Sequence, residues 1–485
     1  MNPALPPPWP RRALAALALL AGFWLLSQLT VATWLAREAD VRVAGWAQGD
    51  SPWRWDFRAE GSVVRSGSHG LEASQPQPHG LSIRLPTDGA VALSLALGDE
   101  RVDAAAVAWA EIELAGETPL RLQLMAGSGD AFLPWATADL GAGEHPAIRL
   151  PLDPTGQRGA EGPILDRLLL RIESTPGARL ELRRLALRAP PCAAEDCGAH
   201  RRSAPSMATP ERLLGYRDAQ RAQAPAVAIE ASSWLGATGR GLARALTPMP
   251  DAVWRLAPAA AALLLLFAAI RRLRARRDRS TARFRPRLEL ALTLALALTL
   301  LLAGWPARDT PASLGFALVG SLAALALFPL RDAPRWRWIG DRAAWRAALG
   351  FTALAALLIA PLGLLDDTAA GARDASRFLR YPLWALVQQW LLLTAIAPRL
   401  RLTCADARLA ALGCGAVFGL LHAPNFALML VTCIGGSAWA WLGWRHRALL
   451  PLALSHAALG LWLTQVAPSW LLRSAEIGGR YLMAP

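Results

Sequence analysis

The stretch Phe418-Gly-Leu-Leu-His422-Ala-Pro-Asn425 sets a histidine deep inside an apolar run that reads as a membrane helix. Polar side chains are costly in hydrocarbon, so they face the interior of a bundle and tend to mark function. The preceding apolar run, 379–397, holds the pair Gln388-Gln389. The following run, 427–443, is followed by Arg445, and the last, 448–467, holds Ser455-His456. Three helices that each turn a polar group inward predict a shared cavity. Gln388, Gln389 and His456 lie about nine residues from a helix end, so a rise of ~1.5 Å per residue sets them roughly 12–14 Å deep.

Composition agrees with that reading. A chain of 485 residues that is 54% hydrophobic, despite a long polar segment, is expected to be an integral membrane protein with at least one extramembrane domain, not a soluble enzyme. The net charge of +14 is carried by arginine, since the chain has no lysine. These arginines cluster in short loops between apolar runs, where they act as topology signals and argue against nucleic acid as a partner. Loop 271–287 is the most basic, and loops 331–346, 398–408 and 444–447 follow it, while the alternate loops are charge-poor or balanced. Every second loop is basic. The N-terminus is therefore expected in the cytoplasm of a bacterial inner membrane, and segment 37–250 is expected to be exported.

In chain order, residues 1–36 read as a membrane anchor. A cleaved signal peptide is the competing reading, disfavoured by the length of the run and by Trp24 and Trp34 near its outer half. From 37 to 188 short alternating runs such as Leu120-Arg-Leu-Gln-Leu124 predict an all-β sandwich, jelly-roll-like, inserted after the first helix. Trp46, Trp53 and Trp55 are either platforms for a glycan or core packing. Residues 189–250 read as a linker with a short amphipathic helix near Glu211–Gln223. Cys192 and Cys197 in it are close enough for a local disulfide in an oxidising compartment, whereas Cys404, Cys414 and Cys433 read as packing residues. Membrane helices 2–4 occupy 251–345, a membrane core follows at 346–467, and 468–485 form an exported tail. The whole is a polytopic α-helical bundle of about nine helices.

The ordered motifs resemble the CPBP family of intramembrane proteases, which includes the CAAX-processing endopeptidases and the bacteriocin-processing and self-immunity proteins. The family signature runs Glu-Glu-x-x-x-Arg, Phe-x-x-x-His, His-x-x-x-Asn or Asp. Phe418 and His422 match the second motif and His456 opens the third. Gln388 and Gln389 stand where the glutamates belong, Leu393 replaces the arginine, and Gly460 replaces the terminal asparagine. The resemblance covers roughly 345–467. It implies an endopeptidase acting on a membrane-embedded or lipidated protein substrate, with His422, His456, Gln388 and Gln389 as catalytic residues and Phe418 and Asn425 as accessory ones. Asn425 is a candidate amide donor. The resemblance also leaves open a divalent metal such as zinc, with His422 and His456 as its ligands. Glutamine takes no proton near neutral pH and binds metals poorly, and the inner helices offer no carboxylate to the cavity. Three competing readings follow: packing histidines, a catalytically silent scaffold whose outer sandwich binds a glycan or an exported protein, and a transporter accessory subunit.

A reporter enzyme fused after residue 200 is expected to be active only in the exported compartment; activity from the cytoplasm would reverse the orientation.

Overall fold

The computed structural model describes residues 9–58, 62–64, 67–71, 74–97, 101–128, 131–152, 164–190, 201–223, 227–246, 287–291, 319–320, 322–323, 326, 335–364 and 376–483. The predicted span 252–270, most of spans 288–304 and 312–330, and the Cys192/Cys197 pair lie outside the described residues. The chain divides into two compact units. One comprises residues 1–34, 207–214 and 237–485; the other comprises 35–206 and 215–236.

The second unit is rich in strands. These are β1 (Arg54–Asp56), β2 (Ser74–Gln77), β3 (Gly80–Arg84), β4 (Ala90–Ser94), β5 (Val102–Asp103), β6 (Trp109–Gly116) and β7 (Leu120–Ser128). The series continues with β8 (Ala131–Leu140), β9 (Gly143–Pro151), β10 (Ile164–Leu165), β11 (Arg167–Ser174), β12 (Arg179–Arg188), β13 (Arg201–Ala204) and β14 (Ala228–Ala231). One antiparallel sheet has the order β2-β3-β12-β6-β9 with β1 on β12, and another has the order β4-β11-β7-β8. Strict alternation builds the core: in β6 Ala110, Ile112 and Leu114 are buried while Glu111 and Glu113 turn outward. Both sheets contribute to one hydrophobic cluster that includes Ile112, Leu122, Leu170 and Leu182. Trp46, Trp53 and Trp55 belong to it, only 3%, 3% and 4% exposed, and the indole N–H groups of Trp53 and Trp55 donate to the carbonyls of Arg101 and Ala96. They are core residues, so they offer no stacking platform to a glycan. On the outer face Arg188 donates to Glu111 at 2.7 Å, and this hydrogen bond holds the Glu111 carboxyl below the usual carboxylate range.

Two local expectations are corrected here. The first helix, α1 (Trp9–Ala47), runs through 37–47, which the alternation had assigned to the β segment. Glu38 pairs with Arg42 one turn away and with Arg221, which favours helix over strand in this polar stretch. Its 39 residues span roughly 58 Å, more than the ~30 Å of hydrocarbon. Residues 201–246, read as linker with one helix, hold the parallel pair β13–β14 and two helices, α2 (Pro210–Gln223) and α3 (Ser233–Leu246). Strands of four residues are too short to show periodicity; β13–β14 is held by Arg201, which pairs with the buried Glu230.

The first unit contains the apolar helices. They are α4 (Arg342–Ile359), α5 (Ser376–Leu391), α6 (Ala397–Thr403), α7 (Ala407–Leu420), α8 (Phe426–His446) and α9 (Leu450–Val466), closed by the short α10 (Ser469–Leu472) and α11 (Gly478–Met483). Among the described residues α1, α4 with its 3₁₀ extension to Leu364, and α8 are long and apolar enough to cross a membrane. Asp341 and Asp406 cap α4 and α7, accepting from Ala344 N–H and from Arg408 and Leu409 N–H respectively. Asp406 also accepts from Arg12 at 2.9 Å, which holds its carboxyl below the usual range and sets the start of α1 and the start of α7 at the same end of this unit.

Small residues set the spacing of α7 and α8, as expected where helices meet in lipid. A Cβ on Gly415 would overlap the Cys433 carbonyl and Ser437, and one on Gly436 would lie 3.1 Å from Gly415 Cα. A Cβ on Gly419 would fall 2.9 Å from the ring of Phe23, so α1 packs into this seam. Gly415→Ala is expected to force the helices apart and cost about 1–3 kcal/mol, read as a lower melting temperature of the solubilised protein. An unchanged melting temperature would contradict the close approach.

Candidate active site

The first histidine is fixed by the end of its own helix. Beyond Leu420 the chain leaves α7 in tight turns, with His422 N–H on the Gly419 carbonyl and Ala423 N–H on the Leu420 carbonyl. The Phe418 carbonyl is one of the acceptors a helix C-terminus leaves over, and the His422 ring takes it, with Nδ1 2.7 Å away. A carbonyl only accepts, so Nδ1 carries the proton. In a neutral imidazole Nε2 then holds the lone pair.

The second histidine is fixed by a different helix. His456 is 4% exposed on α9, and its Nδ1 lies 3.3 Å from Nε2 of Gln389 on α5, itself fully buried. With the Gln389 amide in this orientation its N–H donates to Nδ1 of His456, which leaves the ring proton on Nε2. The two imidazoles therefore present opposite groups at Nε2: a lone pair on His422 and an N–H on His456. Gln389 Oε1 is buried without a hydrogen-bond partner. Gln388, one residue and ~100° earlier on the helix, is only half-buried and makes no hydrogen bond among the described residues.

Aromatic rings hold both imidazoles. Phe418 stands edge-on to His422 at 5.0 Å and to His456 at 5.6 Å, so one ring spaces the pair. Trp439 covers His456 at 4.6 Å and 34°, and Tyr381 meets it edge-on at 6.1 Å. Trp439 is anchored in turn, its Nε1 donating to Ser455 Oγ at 3.1 Å while the Thr352 hydroxyl lies 2.7 Å from the same oxygen. The structure thus brings Gln389, His422, His456 and Phe418 together. Tyr381 and Trp439 are additions that the motifs did not single out. Tyr381 was legible only as the first member of an i, i+4, i+8 row with Ala385 and Gln389.

Asn425 has another task. Its Oδ1 caps α8 by accepting Leu428 N–H at 3.1 Å, and both N–H groups are committed, to the Leu472 and Glu476 carbonyls at 2.8 and 3.2 Å. No donor is left for substrate. Glu211 braces the same turn, accepting from Ala427 N–H at 3.3 Å and from the Tyr481 hydroxyl at 3.0 Å.

One predicted span does hold a buried carboxylate, Glu289, which is 2% exposed. It pairs with Arg399 at 2.7 Å. Arg399 lies ten residues beyond Gln389, roughly 15 Å along the axis, and just after a π-helical turn, Leu392–Ile396, whose Ala395 carbonyl it also contacts at 2.5 Å. This carboxylate is spent on an ion pair away from the histidines. Leu393 is fully buried against Gly443, with Leu393 Cδ2 2.8 Å from where a Cβ would sit, so the position carries packing and has no room for a guanidinium.

The donor set does not suit a divalent metal. No three His, Cys, Asp or Glu side chains gather among the described residues, and the tautomer imposed by Gln389 puts a proton on the outward nitrogen of His456.

Asn425→Ala is expected to lose the cap and the tie to the C-terminal segment, lowering stability by about 1–3 kcal/mol in a denaturant or thermal titration. Asn425→Asp, which keeps the cap acceptor, should lose less; equal losses would refute this division of labour.

A search of curated proteins found no match. Among solved structures, CsCBM6-3 from Clostridium stercorarium in complex with cellobiose aligns at 12% identity over 28% of this chain and 94% of that one, with a TM-score of 0.20, too low to support an inference. A family model described as type II CAAX prenyl endopeptidase Rce1-like matches residues 378–462, the segment that carries Gln389, His422 and His456. Residues 378–462 are thus similar to the Rce1-like CAAX endopeptidases, consistent with the CPBP motifs read from the sequence.

Proposed function

We propose that this protein is an intramembrane endopeptidase of the CAAX type, hydrolysing an amide bond of a membrane-embedded or lipidated protein substrate. The opposed tautomers of His422 and His456 carry the reading, because they supply a base and a donor without a carboxylate. A water gives one proton to Nε2 of His422 as its oxygen bonds to the substrate carbonyl carbon. The C=O π pair moves to oxygen, where Nε2–H of His456 stabilises the charge. The C–N bond then breaks, the leaving nitrogen takes the proton held by His422, and a carboxylic acid and an amine result. The unpartnered Oε1 of Gln389 is an acceptor suited to orienting the water. The outer segment 37–250 is proposed to be exported, with the N-terminus on the other side of the membrane.

A catalytically silent scaffold is the alternative, favoured by the absence of a carboxylate from the histidine cluster among the described residues. Cleavage of a lipidated reporter peptide in proteoliposomes separates the two. His422→Ala should lower turnover by about 10²–10⁴, and a divalent-metal chelator should leave the wild-type rate unchanged. A wild type with no turnover would favour the scaffold, and loss of turnover on chelation would overturn the metal-free assignment.

A further inference from the structure

The third helix of the site has a gap that another helix fills. At Gly460, one turn after His456, a Cβ would collide with the Tyr381 hydroxyl and lie 2.6 Å from Cε1 and Cζ of its ring. The phenol of α5 therefore occupies the place where a side chain of α9 would project, and only glycine permits it. The ring packs edge-on against His456, which fixes its direction. The hydroxyl has no hydrogen-bond partner among the described residues. A half-buried O–H in an apolar bundle leaves its hydrogen bonding unrealised unless water or a ligand meets it.

Gln389 gives one N–H to His456, and Asn425 gives both of its own to the C-terminal segment. The Nε2–H of His456 and the hydroxyl of Tyr381, whose ring packs against it, are both uncommitted among the described residues. Two convergent donors are what a carbonyl oxygen needs as it becomes an oxyanion.

We propose that Tyr381 is a catalytic residue whose hydroxyl, lodged in the Gly460 notch, donates to the substrate carbonyl oxygen beside His456. This assignment rests on the hydrolase reading for its role in turnover but makes a binding prediction that does not need turnover. Tyr381→Phe keeps the ring and its packing and removes only the donor.

Two measurements on the full chain in proteoliposomes test it: cleavage of the lipidated reporter peptide, and the affinity of the same peptide ending in an aldehyde, with the corresponding alcohol as control. Tyr381→Phe is expected to lower kcat by about 10²–10³ with KM little changed, and to weaken the aldehyde while leaving the alcohol unaffected. If Tyr381→Phe melts early, the paired exchange Tyr381→Ala with Gly460→Asn, which returns an amide donor to the vacated space, should recover aldehyde affinity over Tyr381→Ala alone; failure to recover it would count against the assignment. A Tyr381→Phe protein with unchanged kcat and unchanged aldehyde affinity overturns it, and if His422→Ala is inactive in that assay the hydrolase reading survives. A wild type that never cleaves but binds the aldehyde in a Tyr381-dependent way sinks the hydrolase reading and upholds the donor.

Discussion

The contact between Gln389 Nε2 and His456 Nδ1 is the constraint on which the chemistry of this site turns. A carboxylate at 389 would accept from the ring and leave a lone pair at Nε2; an amide donating to the ring does the reverse. One change of side-chain type therefore converts a base or metal ligand into a hydrogen-bond donor without moving the ring. His422 has no such freedom, because its partner is a backbone carbonyl at the end of its own helix. The asymmetry between the histidines arises from the kinds of groups their elements present to them.

Around that contact the protein spends aromatic area to hold two rings still. Phe418 touches both imidazoles, and Trp439 is held by Phe351, Ser455 and Phe418 before it covers His456. Such packing fixes rotamers at low entropy cost, since aromatic side chains have few torsions to lose. The close approach of α7 and α8 through Gly415 and Gly436 brings Phe418 on one helix within reach of Trp439 on the next. The turn between those helices is tied down from the far side by Asn425 and Glu211, so His422 sits on a braced corner.

Two carboxylates buried among the described residues of this unit, Glu289 and Glu211, illustrate how the polar groups are divided. Glu289 neutralises Arg399 next to a π-helical turn, and Glu211 satisfies the first turn of α8 and a tyrosine hydroxyl. Buried charge of this kind is costly unless fully partnered. Each has a structural partner: Arg399 for Glu289, the Ala427 N–H and the Tyr481 hydroxyl for Glu211.

The sequence alone determined which runs are apolar, which strands alternate, and where His422, His456 and Gln389 fall in order, because hydropathy and periodicity are local properties of the chain. The apolar helices that fall on 346–365, 408–423, 427–443 and 448–467 were legible for that reason, and so was the Phe-x-x-x-His turn. Several features required the tertiary structure. Trp46, Trp53 and Trp55 read more readily as core than as platform, and both sheets close over them. Asn425 read as a donor until its hydrogens were seen committed to residues about fifty positions away, and Gly460 read as a loss until Tyr381, 79 residues earlier, was found in its place. Hydrogen-bond partners, protonated nitrogens and the filling of a glycine notch depend on side chains from distant segments, and no local pattern encodes which of them will meet.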